Sequence, residues 1–545
     1  MPEVLPEDYY LDNFKFLLDF VVREHYSLLS NEEKEFYRTF KLLSQDACKL
    51  YVRLTNRKGP YFRVDKLNYM DPQRLNIALK LLIKVKFIFP AVSDSGWGLK
   101  LCSKAELLSI DECSNLTRYV KRQFIEDYLA SRKISPVKAL SLEVVEVAQL
   151  EVLMVYRLLF FGNFHQDMKE FVVHELVNPF EKYQFCGGTN IFRSRKIIDE
   201  LIVLKSRSEE VNKLKESEGN EGPLIELILN LPKRNPEPVL GRSYDRIVNG
   251  VARYLERRGM LEDAAEVYSK AQGAPARERQ ARIFARLERP EDSIKFCSSI
   301  LANPCSEEEL EFAHAFGERL SQKHSLKTKN HFGFHKIDIQ QEEIYILDIN
   351  SSVELSACNH FQKLGYQSFY VENNLLRGLF GLCFWDIIYA PIEGAFFNPF
   401  QRRPADLYTQ DFVANRHSMI TARLKHLKKS GFRKLAESVY TRKYGVANTF
   451  VNWRRLNEVL LEAAFERIPF YDLVLIFEKM LVDLKNNASG FPDLIVFGDE
   501  GYQMIEIKGP GDKLQKNQAR WFRYFELHNL PSKVVHVKYP KATGT

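Results

Sequence analysis

Strand-like sequence comes late in this chain, after a long stretch of helical spacing, and that order constrains the fold more than any other feature. The runs Leu494-Ile-Val-Phe497, Tyr502-Gln-Met-Ile-Glu-Ile507 and Val534-Val-His-Val-Lys538 are short and apolar, as strands are. A helical stretch over 515–528 separates the second from the third. Two strands joined by a tight turn, then a helix and another strand, predict a C-terminal α/β module. At 545 residues the chain has room for roughly three to five domains of about 100–200 residues. The expected fold class is therefore multi-domain, mostly α, with the α/β module at its end. Hydrophobic residues make up 45% and aromatic residues 12%, enough for packed cores, which excludes a largely disordered chain.

The eight cysteines are scattered, with no C-x-x-C pair and no Cys/His cluster at zinc spacing. They read as free thiols of a reducing compartment. Met1-Pro-Glu-Val-Leu-Pro-Glu-Asp8 carries three acids and no basic stretch, unlike a secretory signal. The most apolar segment, Leu375–Ile392, is interrupted by Arg377 and Asp386 and reads as a buried core helix. A membrane span needs about 20 nearly uncharged residues. A soluble, intracellular protein with no membrane partner is expected.

Four regions follow from the patterning. Residues 1–98 are predicted to be a helical DNA-binding region, with apolar residues at three- and four-residue spacing over 14–26 and 32–51. There Arg53, Arg57 and Lys58 lie beside Tyr51, Tyr61 and Phe62, as either a solvated basic helix end or a phosphate-contacting surface. Residues 99–135 form a helical hairpin in which Ser103 is the N-cap and Glu106 completes a capping box. Its second helix, predicted over Leu116–Leu129, carries Arg118, Lys121 and Arg122 and resembles a SAP-type DNA-binding motif. Residues 136–345 are predicted to be a tetratricopeptide-like solenoid. Arg253–Val267 can be laid over Arg282–Phe296 at an offset of 29, each with Glu-Asp opening a second helix. Such a solenoid offers a surface for protein partners. Residues 346–545 hold the α/β module and the chemistry.

That chemistry lies in Phe491-Pro492-Asp493 and Glu506-Ile507-Lys508, which flank the turn Gly498-Asp-Glu-Gly501. If Phe497 pairs with Tyr502, Asp493 falls opposite Glu506. Directly opposed Cβ atoms lie about 4.5–5.5 Å apart, where like charges destabilise the pair. Strand alternation puts Lys508 on the face of Glu506 and turns Ile507 into the core. Two carboxylates held together call for a cation, and hard oxygen ligands favour Mg²⁺ or Mn²⁺. A salt-bridged hairpin would use the same residues. As a catalytic kit, the ion polarises a phosphodiester and lowers the pKa of bound water, while the ammonium positions that water.

Residues 402–455 contain thirteen Lys/Arg and three Asp/Glu, a net of +10 in a chain whose total is +7. Arg423, Lys425, Lys428 and Lys429 lie in an acid-free stretch of it. Such a segment is either a solvated basic helix or a sequence-independent phosphate binder. Tyr440, Tyr444 and Trp453 are interleaved as candidate stacking platforms for unpaired bases.

The run Glu506-Ile-Lys-Gly-Pro-Gly-Asp-Lys-Leu-Gln-Lys-Asn-Gln518 resembles the VRR-NUC branch of the PD-(D/E)xK nucleases through Glu506, Lys508, Gly509, Pro510, Asp512, Leu514 and Gln518. Upstream Gly490-Phe-Pro-Asp-Leu-Ile-Val496 is similar to the same family. The likeness extends to the Fanconi-associated nucleases, whose helix with the remaining metal carboxylate is similar to Val371-Glu-Asn-Asn-Leu-Leu-Arg-Gly-Leu-Phe-Gly-Leu-Cys-Phe-Trp-Asp-Ile-Ile388. The resemblance implies a restriction-endonuclease-like nuclease domain. It also implies one or two Mg²⁺ or Mn²⁺ ions on Glu372, Asp493, Glu506 and the Ile507 backbone carbonyl, Lys508 as catalytic lysine, and branched or flapped DNA as partner. Without a zinc finger the chain resembles the shorter bacterial type, cytoplasmic and nucleoid-associated; a eukaryotic member would be nuclear. Lys485 stands where the family's eukaryotic members have an arginine of a 5′-phosphate pocket, but Asn517 replaces a lysine there, leaving terminal-phosphate anchoring open.

The expectation is a metal-dependent, structure-specific DNA nuclease, a 5′-flap endonuclease and 5′-to-3′ exonuclease acting near single-strand/double-strand junctions, with a role in interstrand crosslink repair. The competing readings are a binding scaffold with an inactive nuclease module, and an RNA- or restriction-type nuclease. Intact Asp493, Glu506 and Lys508 argue against the first, and the lack of a base-reading element against a restriction enzyme.

Overall fold

The structure is a computed structural model, and it describes residues 8–91, 96–166, 168, 179–183, 192–326, 332–334, 339–346 and 351–539. It divides into two compact units, residues 1–177 and 178–545.

The first unit is more than helical. Helices Tyr9–His25, Asn31–Lys41, Gln45–Thr55, Pro72–Lys84 and Leu150–Phe161 are joined by a small antiparallel sheet. Its strands β1 (Tyr61–Arg63), β2 (Ile88–Pro90) and β3 (Val144–Val147) run in the order β1-β3-β2. Residues 1–98 are mostly helical, as expected, with β1 and β2 as short additions, whereas the place of β3 in this sheet corrects the start of a solenoid at residue 136. Val144–Val147 pairs with both N-terminal strands, and Tyr156 on the next helix donates to the Glu33 carbonyl at 2.9 Å. Strands of three or four residues are too short to show a period of two. The hairpin capping box is present, with Ser103 and Glu106 satisfying each other's backbone N–H groups. The second hairpin helix begins at Arg122 rather than Leu116.

In the second unit the offset of 29 is borne out. Helices end at Arg257 and Arg286, and the next ones begin at Leu261 and Pro290, with Glu262-Asp263 and Glu291-Asp292 in their first turns. The charged stretch after Ser206 is mostly helix, as part of Arg195–Lys215. The final helix of this array is Glu307–His324.

The α/β module is a five-stranded sheet of β4 (Gln341–Tyr345), β5 (Gln367–Tyr370), β6 (Leu494–Gly498), β7 (Gly501–Lys508) and β8 (Ser532–Lys538) in the order β4-β8-β7-β6-β5. The expected register holds, with Phe497 opposite Tyr502 and Leu494 opposite Ile505. The sheet reaches back before residue 346, because β4 pairs in parallel with β8. Alternation sorts the strands onto two cores. Leu494, Val496, Ile505, Ile507, Val535 and Val537 pack on Ala357 and Phe361 of helix Val353–Lys363. Ile495, Phe497, Tyr502 and Met504 face the larger core of Leu375, Phe380, Phe477 and Trp521. The apolar segment from Leu375 is buried as expected, but its helix breaks at Phe384. Among the described residues, no helix is long and apolar enough to cross a membrane.

Candidate active site

Asp493, Glu506 and Lys508 fall on the larger-core face of the hairpin, where strand alternation places them. Asp493 immediately precedes β6, and its Oδ2 accepts a hydrogen bond of 3.0 Å from the Ile507 N–H. Glu506 is 1% exposed. Its Oε1 is 2.8 Å from Lys508 Nζ and accepts at 2.5 Å from Gln518 Nε2. Gln518 Oε1 in turn accepts from Lys508 Nζ at 3.0 Å. The helix Lys516–Leu527 thus closes a ring of Glu506, Lys508 and Gln518.

Glu372 arrives from the other side, between β5 and the helix Asn374–Cys383. Both Val371 and Glu372 N–H groups donate to the Asp493 carbonyl at 2.8 Å. Asn373 Oδ1 accepts from Gly490 N at 2.9 Å and Phe491 N at 3.3 Å. Glu372 takes a left-handed backbone, φ 44°, an uncommon conformation for a residue with a side chain and one that clusters at functional sites. The two chain segments that carry the carboxylates are therefore stitched together by backbone.

The G-P-x-D signature has a local reason. Asp512 Oδ2 accepts from the Gly509 N–H at 3.0 Å, and Gly511 has φ +88°, so the strand leaves the site through a capped turn. Pro492 is buried ahead of Asp493. Gly490, φ +88°, lies against Asn517, where a Cβ would come within 2.9 Å.

Sequence reasoning missed Glu354, in the first turn of the helix Val353–Lys363. Its charge acts on Asp493. Tyr370 is pushed up to about 12, first by burial and then by the charges of Glu372, Asp493 and Glu354, and its hydroxyl donates to Glu372 Oε2 at 3.4 Å. No spacing rule links residue 354 to residue 493; only the sheet brings them together. Asn373 was equally invisible.

Burial raises both Asp493 and Glu506 well above the usual carboxylate range, and for Glu506 the charge of Asp493 adds to it. Glu506 Oε2 is buried without a hydrogen-bond partner among the described residues. Among those residues, no three His, Cys, Asp or Glu side chains already converge as a cation cage. An orphaned carboxylate oxygen beside a second, half-buried acid nonetheless suits a hard divalent ion, for which oxygen donors are the preferred set.

The VRR-NUC domain family matches residues 428–539, which include the whole hairpin, and the FAN1 HTH domain family matches residues 8–89. A Fanconi-associated nuclease 1 homologue of Pseudomonas aeruginosa is 30% identical, with 98% of this chain and 97% of its own length aligned. The chain belongs to the Fanconi-associated nuclease 1 family. Relatives in Arabidopsis thaliana and Homo sapiens are 24% and 23% identical over 93% and 97% of this chain, which spans 64% and 62% of theirs. A solved structure of paFAN1 bound to 5′-flap DNA with a gap and a 2-nucleotide flap has a TM-score of 0.86 at 29% identity, covering 98% of this chain and 99% of its own. The corresponding 1-nucleotide flap structure gives 0.85 at 28%. As a VRR-NUC member of this family the protein is a DNA nuclease, of a class that depends on divalent metal.

The candidate DNA contacts in this family member divide by what already holds them. In the first unit, Arg53 donates to Tyr10 Oη at 2.9 Å and lies over the rings of Tyr10 and Tyr69. Arg57, past the end of its helix, donates to Tyr69 Oη at 2.5 Å. Arg122 pairs with Glu126 and donates to the Leu99 carbonyl. Lys58 and Lys121 are exposed. In the second unit, Arg423 pairs with Asp386 and donates to the Cys383 carbonyl, and Lys428 meets Glu478 at 2.7 Å. Lys425, Lys429 and Lys485 are exposed. Trp453, Tyr440 and Tyr444 pack on one another; Tyr444 is exposed.

Proposed function

We propose that this protein is a structure-specific DNA nuclease, a 5′-flap endonuclease and 5′-to-3′ exonuclease using Mg²⁺ or Mn²⁺ near junctions, and that its role is interstrand crosslink repair. The observation that carries the reading is buried Glu506 facing half-buried Asp493, with Lys508 beside it and one Glu506 oxygen left unpartnered among the described residues. The likeness to paFAN1 bound to 5′-flap DNA over nearly its whole length supports a flapped substrate.

In this reading Asp493, Glu506, Glu372 and the Ile507 carbonyl hold one or two ions, and Glu354 adds negative charge beside Asp493. When bound, the metal supplies Lewis-acid activation of phosphate and water. Lys508 positions the attacking water and faces the charge that develops on the phosphate. Gln518 fixes the ammonium and one Glu506 oxygen, leaving the other oxygen for the ion. The N-terminal region 1–98, the SAP-like hairpin 99–135 and the exposed lysines of 402–455 grip duplex arms, while the repeat helices from Arg195–Lys215 to Glu307–His324 can receive protein partners. A bacterial member would work in the cytoplasm on the nucleoid.

The test is a cleavage panel of labelled flap, splayed-arm, nicked and single-stranded DNA with Mg²⁺, Mn²⁺ or chelator. Metal-dependent cutting confined to junction-bearing substrates is expected. Equal cutting of all four, or cutting in chelator, would overturn the reading.

A further inference from the structure

The helix Lys516–Leu527 does more than carry Gln518. Two residues further on, Arg520 is 5% exposed. Its guanidinium grips Glu311 of the last repeat helix in a fork, Nε to Oε1 at 3.1 Å and Nη2 to Oε2 at 2.9 Å. Arg523 binds the same carboxylate. Arg520 Nη1 also donates to the Asn486 carbonyl and to Asn487 Oδ1, each at 3.4 Å. Those residues lead directly into Asp493. Next along the helix, Trp521 donates to the Ser489 carbonyl at 3.1 Å.

A buried ion pair is a poor source of stability, because desolvation offsets most of its attraction. What a forked Arg–carboxylate pair supplies is fixed orientation. Here the fork sets the helix against two references at once, the repeat helix and the strand entry to Asp493. Gln518 lies half a turn away, with bonds of 2.5 Å to Glu506 and 3.0 Å to Lys508. Those bonds leave little room for the helix to slide. Glu307, one turn before Glu311, repeats the tie: it pairs with Lys479 at 2.9 Å and its N–H donates to Asp483.

We propose that Glu311 is a positioning residue for the nuclease centre, acting through Arg520 and Gln518 on Glu506 and Lys508. The repeat region is then a working part of the active site as well as a holder of substrate. The proposal rests on the metal-dependent reading above. It is tested in the full-length protein with Glu311→Gln, Gln518→Ala and the double variant. The readouts are Mn²⁺ affinity by electron paramagnetic resonance, single-turnover cleavage of a 5′-flap duplex, flap binding and melting temperature. Glu311→Gln should weaken Mn²⁺ binding about tenfold, the lower end for a residue outside the ligand shell, and slow cleavage at limiting Mn²⁺, with flap affinity within about twofold. The double variant should be no worse than Gln518→Ala, because the two lie on one chain of contacts. A Glu311→Met/Arg520→Met pair, which keeps the packing volume, should retain the melting temperature and still lose metal affinity. Unchanged Mn²⁺ affinity in Glu311→Gln, or additive losses in the double variant, would overturn the proposal. Mn²⁺ affinity decides it even if the wild-type chain cuts no DNA, a result that would defeat the functional reading alone.

Discussion

In the basic segment 402–455, much of the charge is met on the spot. Fully buried Arg416 pairs with Asp406, Arg423 with Asp386, Arg433 with Glu437 and Glu462, and Lys443 with Glu181. In the hairpin 493–508 the reverse holds. A buried acid faces a half-buried one, one lysine serves them, and one oxygen has no partner among the described residues. The first region has the larger charge on paper and the more satisfied charge in space. The second carries a net of −3 in sixteen residues and a deficit that folding leaves open. Function is read better from what packing fails to neutralise than from what the sequence counts.

The comparison is broken most directly at the hairpin. Asp493→Ala or Lys508→Ala should lower Mn²⁺-dependent flap cleavage by about a thousandfold or more, while flap binding in a gel-shift titration persists. Cleavage at wild-type rate in either variant would remove that residue from the site.

The satisfied region should answer with stability. Arg416→Ala removes a fully buried guanidinium and leaves the half-buried Asp406 with only the Asn415 amide among the described residues, which costs about 3 kcal/mol, the lower end for breaking a buried pair, seen as a lower urea midpoint. A drop in DNA affinity at unchanged stability would instead make Arg416 a contact residue.

The open deficit carries a pH signature. Because Asp493 and Glu506 are raised in the folded state, the metal-free fold holds protons that the unfolded chain has already lost. Stability therefore falls as pH rises from the ordinary carboxylate range, about 4, to about 8. Metal binding displaces those protons, so stabilisation by Mn²⁺ should grow over the same window. Melting curves at pH 6 and 8 with and without Mn²⁺ check this; an equal increment at both would contradict the buried-acid account.

The smallest effect belongs to the exposed lysines. Lys425→Ala/Lys429→Ala should leave the melting temperature unchanged and lower the salt slope of flap binding by about one per residue. An unaltered slope would take this surface off the DNA path.

How much of this was legible follows from range. The hairpin register is legible because Phe497 and Tyr502 are five residues apart and the turn between them is marked by glycine at both ends. The repeat is legible because it copies itself. The strands β1 to β3 are not, since Arg63 finds Val144 across some eighty residues and none of the three is longer than four residues. β4 hides as well: Gln-Glu-Glu-Ile-Tyr reads as polar coil until Ser532–Lys538 pairs with it. Glu354 and the partners of Arg416 and Arg423 escape for the same reason. Local pattern shows which residues want burial or charge compensation, and only the completed sheet and helices show who supplies it.

Glu372 carries a consequence for anyone who would re-engineer this protein. Its left-handed backbone is one that glycine adopts freely and that costs a residue with a side chain. A stability screen would therefore favour Glu372→Gly, and would in the same step delete a carboxylate of the proposed centre. On the proposed reading, selecting for robustness at this position selects for a protein that still grips flaps but no longer cuts them, useful for trapping DNA junctions intact.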